Sequence, residues 1–161
     1  MAEARGYDDL IMDHIRNARG YGVLDTSTHQ ANGINPLCGD EMTVYATLDG
    51  ERIEAVAYQC SCCGISMASA SMMTDALKGQ SPDTARKLAD AVKNICTGKA
   101  ADSDMEPYLE KLAALSGVRQ FPVRVKCATL GWNTLQEALK EFRSGEKSGS
   151  VVVDDGEGAN A

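Results

Sequence analysis

Basic residues are in short supply in this 161-residue chain: 16 Lys and Arg stand against 23 Asp and Glu, a net charge of −7. A polyanion such as nucleic acid or an anionic lipid surface finds no basic footprint to neutralise it. Long apolar runs are missing too. The longest span four residues, Ala55 to Tyr58 and Leu112 to Leu115, far short of the roughly 20 needed to cross a bilayer. The N-terminus opens Met-Ala-Glu-Ala-Arg-Gly without an apolar stretch, so no secretory signal is read there. A cytoplasmic acidic protein is expected. Also absent are a Gly-rich phosphate loop, a Ser-His-Asp order and a paired-histidine metal motif. No internal repeat is apparent.

What is present is ordinary in bulk. Hydrophobic residues make up 43% and charged residues 24%, the composition of a single globular domain. A chain of this length buries roughly 70% of its unfolded surface and needs no disulfides to hold a core. Helices are expected over about Asp8–Arg19, with Leu10, Ile11, His14, Ile15 and Ala18 on one face, and from Ser66 to Lys78, where Ser, Ala and Met dominate. Ser81-Pro82-Asp83 opens another helix that stops at Gly98, with Leu88, Ala91, Val92, Ile95 and Cys96 inward. A short helix follows over about Met105–Leu115, and a last one from Lys126 or Cys127 to Arg143, burying Leu130, Leu135, Ala138, Leu139 and Phe142. Gly20–Pro36 and Gly117–Arg124 read as loops. Thr43–Leu48 and Arg52–Tyr58, joined at Asp49-Gly50, form a hairpin. The fold class is therefore α+β, a small antiparallel sheet of about three strands packed against helices. Residues 1–143 form the domain. The Gly-, Ser- and Asp-rich stretch 144–161 has only Val151-Val152-Val153 to bury and is expected to be a disordered acidic tail.

The six cysteines carry the chemistry: Cys38, Cys60, Cys62, Cys63, Cys96 and Cys127. Without an export signal, such residues are metal ligands, reactive thiols or core residues more often than disulfides. In Cys38-Gly39-Asp40 the glycine allows a sharp turn that aims thiol and carboxylate at one point. A carboxylate would only hinder formation of a thiolate beside it, but the pair makes sense with a cation between them. Cys63 precedes the helix from Ser66, where helix N–H groups favour a thiolate. Cys127 follows Arg124-Val125-Lys126 in a similar setting. Three thiols and a carboxylate suit tetrahedral Zn²⁺. Their negative charge exceeds what one Zn²⁺ cancels, and Arg124 and Lys126 are the cations nearest in sequence to offset it. Blander readings stand beside this one. Cys38 and Asp40 form an ordinary turn, Cys60-Ser61-Cys62-Cys63 is a strand end of small residues, Cys96 and the Met67/Met72/Met73 group fill the core, and His14 and His29 lie at the surface.

Three segments, Asn35-Pro-Leu-Cys-Gly-Asp40, the run Cys63-Gly-Ile-Ser-Met-Ala-Ser-Ala-Ser-Met-Met-Thr74, and Arg124-Val-Lys-Cys-Ala-Thr-Leu-Gly-Trp132, resemble the NifU N-terminal/IscU-like family, and within it the SufU branch. The resemblance covers about residues 6–143. Ser81–Gly117 looks like the extra helical segment of that branch, and Lys126 stands where IscU-type scaffolds carry a histidine. The resemblance implies zinc held by Cys38, Asp40, Cys63 and Cys127. It also implies a sulfurtransferase in iron–sulfur cluster biogenesis, in which Cys38 accepts persulfide sulfur from a PLP-dependent cysteine desulfurase and passes it to a downstream assembly scaffold. Arg124, Lys126, Cys60 and Cys62 would support the site. Cys60 and Cys62 stand where the family has small residues, and they read as alternative ligands, a sulfur relay, or a redox-sensitive pair with each other or with Cys63. Two rival readings use the same ligands: a scaffold that carries a transient Fe–S cluster, and a structural zinc domain in an interaction protein.

Overall fold

The computed structural model describes residues 2–36, 39–98, 112–144 and 148–152, with backbone alone at 2–8, 113, 114, 119, 140–144 and 148–152. The elements run α1 (Ala2–Arg16), β1 (His29–Asn35), β2 (Asp40–Asp49), β3 (Arg52–Ser61), α2 (Gly64–Leu77), α3 (Pro82–Thr97), a 3-10 segment (Ala113–Gln120), α4 (Pro122–Ser144) and β4 (Ser148–Val152). The sheet order is β3-β2-β1-β4. The first three strands pair antiparallel, as the α+β expectation requires, and β4 adds a parallel edge against β1. No helix among the described residues is long and apolar enough to cross a membrane.

The hairpin forms where Asp49-Gly50 placed it, with Asp49 opposite Arg52 and Gly50 at φ 65°, a left-handed conformation that favours glycine. In α3, Ser81 caps the N-terminus by accepting from the Thr84 amide at 3.1 Å, Pro82 starts the first turn, and Gly98 ends the helix at φ 84°. Local chemistry sets both elements.

Four differences from the sequence reading have physical causes. Strand β1 falls inside the stretch read as a loop, because its Gly33 and two asparagines are poor strand formers. Gly33 is required by packing: a Cβ there would overlap Thr134 Oγ1 of α4, which lies directly across β1. Helix α4 starts at Pro122, since proline suits the first helical position. Cys127 is therefore inside the helix instead of at its start. Ser148–Val152, expected to be unstructured, forms β4, in which two valines with high strand propensity complete the sheet edge. Finally, His14 and His29 are buried, not superficial. His14 Nδ1 lies 2.6 Å from Ser71 Oγ of α2, and burial lowers the His29 pKa. The expected helix over Met105–Leu115 lies mostly outside the described residues, as does the Phe142 side chain.

The inner face of the sheet packs on α4, and α2 packs on both α4 and β3. That approach is close. A Cβ at Gly131 would sit 3.2 Å from Met42 Sδ and 3.4 Å from Ala70 Cβ. The run of Ser and Ala in α2 is thereby explained: Ser66, Ala68, Ser69, Ala70 and Ser71 are all buried. Each buried hydroxyl needs a partner. Ser69 Oγ donates to the Ala128 carbonyl and accepts from Trp132 Nε1 at 3.1 Å.

Candidate metal centre

Three elements converge at one end of the sheet. Asp40 opens β2 and is 4% exposed. It sits opposite Asn35 in the β1–β2 register, and the connection is tightened by the Gly39 amide donating to the Asn35 carbonyl at 2.8 Å with Gly39 at φ 75°. The glycine between residues 38 and 40 thus makes the sharp turn that the sequence anticipated. Cys63 is the N-cap residue of α2, in extended conformation. Cys127 comes from the second turn of α4 and is fully buried.

One ligand atom from each of Asp40, Cys63 and Cys127 lies within 4.8 Å of the other two. Sulfurs bound tetrahedrally to Zn²⁺ at about 2.3 Å would stand roughly 3.8 Å apart, so a small contraction lets one ion bond all three. The donor set of two soft sulfurs and one hard oxygen fits a borderline metal such as zinc. Of the four residues assigned from sequence, the structure brings these three together. Cys38 lies outside the described residues.

Neighbouring groups orient the ligands. The Cys63 amide donates to Asp40 Oδ1 at 3.2 Å, and Ser66 Oγ lies 2.6 Å from Asp40 Oδ2 and 3.1 Å from the Cys127 carbonyl. Asn35 Nδ2 points at Cys127 Sγ from 3.9 Å. Fixing ligands through such outer partners is how a protein tunes a metal site. The Cys63 thiol is lowered from 9.0 to about 5, first by the hydrogen bond from Cys127, then by the amide and hydroxyl of Ser66, against burial and the Asp40 charge. A thiolate ready to bind metal at neutral pH results.

Arg124, exposed on the first turn of α4, faces both sulfurs. Its own charge is reinforced chiefly by Cys63 and also by Cys127. The Lys126 side chain makes no contact with the group among the described residues. Cys60 and Cys62 are bonded to each other as a disulfide, the redox-pair option among the readings open for these residues. In that state neither offers a ligand. Cys96 is buried among core residues, as its place on α3 implied.

Asn35 and Ser66 were not singled out from sequence, although both lie in the quoted motifs. Ser66 carried one signal: it stands three residues after Cys63, the spacing that brings a side chain back to a helix N-cap.

With this geometry in view, the comparisons with known proteins are specific. The model of the NifU-like N-terminal domain matches residues 6–148. The zinc-dependent sulfurtransferase SufU of Bacillus subtilis is 40% identical over 139 residues, covering 86% of this chain and 92% of that protein. The iron–sulfur cluster assembly scaffold protein IscU of Streptococcus pyogenes is 39% identical, covering 83% and 82%. A crystal structure from Fervidobacterium islandicum, described as an iron–sulfur cluster assembly scaffold protein for the SUF system, is 32% identical with a TM-score of 0.75, covering 81% of this chain and 94% of that one. The chain belongs to the NifU-like N-terminal domain family.

Proposed function

We propose that this protein is a zinc-dependent sulfurtransferase of iron–sulfur cluster biogenesis, which takes persulfide sulfur from a PLP-dependent cysteine desulfurase onto Cys38 and hands it to a downstream assembly scaffold. The observation that carries the reading is the convergence of Asp40, Cys63 and Cys127 within 4.8 Å. The similarity to the B. subtilis sulfurtransferase adds to it. Cys38 is two residues from Asp40 along the chain and would be the fourth ligand. Bound zinc would keep the thiols deprotonated and unreactive until a partner docks.

The transfer step needs little from the protein beyond a free thiolate and its placement. The Cys38 thiolate attacks the outer sulfur of the desulfurase persulfide. The desulfurase cysteine leaves as a thiolate, and Cys38 becomes a persulfide. Asp40 and Ser66 hold the rim in place during the exchange, while Arg124 balances the sulfur charge at the surface. Such a protein works in the cytoplasm.

Cys38→Ala is the direct test. The variant is expected to fold and to bind zinc through the remaining ligands, yet to leave desulfurase turnover at its unstimulated rate. Full stimulation by this variant would remove Cys38 from the role. A second reading, a scaffold carrying an Fe–S cluster on the same ligands, draws on the likeness to the S. pyogenes scaffold protein. Protein purified without oxygen separates them: the scaffold would hold iron and sulfide in place of zinc.

A further inference from the structure

Resting on the sulfurtransferase reading, we propose that Cys60 and Cys62 form a dithiol–disulfide couple that reduces sulfane sulfur brought to the neighbouring metal group and releases it as sulfide. The pair is bonded in the structure, and its place is set by the sheet. Met42 pairs with Cys60 and Glu41 with Ser61. Side chains alternate along a strand, so Cys60 shares the inner face with Met42 and with Asp40, two residues earlier. Cys62 follows on the same alternation, immediately beyond the end of β3, and is joined directly to Cys63. The hydrogen bond that the Cys63 amide donates to Asp40 Oδ1, at 3.2 Å, holds this corner against the ligand carboxylate. On its outer side, the exposed Tyr21 donates its hydroxyl to the Cys60 carbonyl at 3.1 Å.

The bond has no use as a structural staple. It encloses one residue, Ser61, and closing so short a loop removes little entropy from the unfolded chain. It fastens no distant segments together. Both cysteines are half-buried on the surface of the core, within reach of a small or docked reactant, whereas Cys96 is fully enclosed. What remains is a two-electron couple one residue from a metal-ligating thiol.

The chemistry balances. One thiolate of the reduced pair attacks the outer sulfur of a persulfide R–S–SH, the thiol R–SH departs, and the attacked cysteine becomes a persulfide. The second thiolate attacks the inner sulfur of that persulfide, forms the Cys60–Cys62 bond and expels HS⁻. One persulfide and two thiols give one thiol, one sulfide and one disulfide. The sulfane sulfur gains the two electrons that the cysteine pair loses. A cellular dithiol reductant then returns the pair to its starting state.

Full-length zinc-loaded protein, reduced and then freed of reductant under argon, is mixed with a low-molecular-weight persulfide stripped of excess thiol. Sulfide is assayed, and the 60–62 peptide is examined by mass spectrometry. The expected yield is about one sulfide per chain, matched by conversion of Cys60 and Cys62 to the disulfide. The Cys60→Ser/Cys62→Ser variant should release at least about tenfold less while it still stimulates the desulfurase when excess thiol is supplied. Equal sulfide from the variant, or sulfide from the natural protein with the pair still reduced, would overturn the proposal. The mass-spectrometric arm needs no variant, so misfolding of the double substitution leaves the test intact. Failure of the sulfurtransferase reading shows separately, as absent stimulation of the desulfurase by the natural protein in excess thiol.

Discussion

The two ends of the β2–β3 pair are built by opposite means. At the hairpin end the turn is local, made by Asp49-Gly50, and backbone bonds from the Ile53 amide to the Gln80 carbonyl and from the Gly79 amide to the Ile53 carbonyl tie the corner to the α2–α3 connection. No thiol is gathered there. At the other end Asn35, Asp40, Cys63, Ser66 and Cys127 meet from four elements, and a buried carboxylate faces two sulfurs. The hairpin end contributes order at small cost. The metal end gathers like charges that repel one another unless a cation joins them. One end of the sheet is set by a two-residue turn, and the other by side chains that a cation would join.

Substitutions that strike the two ends separately should break that pairing cleanly. The largest effect is expected from Asp40→Ala, which removes a ligand and the acceptor of the Cys63 amide. Zinc affinity, read by competition with a chromophoric chelator, should fall by more than the roughly 100-fold that loss of an outer partner costs. Ser66→Ala should fall within that range, about 10- to 100-fold, and lower the unfolding free energy by about 1–3 kcal/mol by removing the buried hydroxyl that bonds Asp40 and the Cys127 carbonyl. Gly50→Ala, at the opposite end, should lower stability by about 1–2 kcal/mol through the left-handed conformation and leave zinc affinity unchanged. A parallel loss of zinc in that variant would contradict the separation of the two ends.

A further effect is electrostatic. The Cys63 thiol, ordinarily near 9.0, is lowered to about 5 in the folded chain. Its contribution to the stability of the metal-free protein is therefore fully present above the unfolded value and is lost as pH falls toward the folded one. Metal-free protein should gain melting temperature between pH 5 and 9, and Cys63→Ser should flatten that gain. Arg124→Gln should flatten it only slightly, since its guanidinium is exposed and screened.

How much of this was legible in the sequence follows the same division. The hairpin and α3 could be read because their turn and cap residues act within a few positions of one another. Strand β1 could not, because its Gly33 answers to Thr134, a hundred residues away in sequence. Pro122 reads as loop in the sequence because proline serves a helix start as readily as a break. At the site, Asp40, Cys63 and Cys127 were legible by residue type and by the turns and helix starts beside them. Asn35 and Ser66 were not, because a single amide or hydroxyl takes its role from tertiary contacts. The Cys60–Cys62 bond was legible only as one option among several, since a close pair of thiols serves ligation and redox chemistry alike.

Zinc-edge X-ray absorption on the purified protein tests the central claim most directly. One zinc per chain, bound by a mixture of sulfur and oxygen donors at about 2.3 and 2.0 Å, with the oxygen signal lost in Asp40→Ala, is the result expected. A spectrum with sulfur donors alone, unchanged by that substitution, would contradict it.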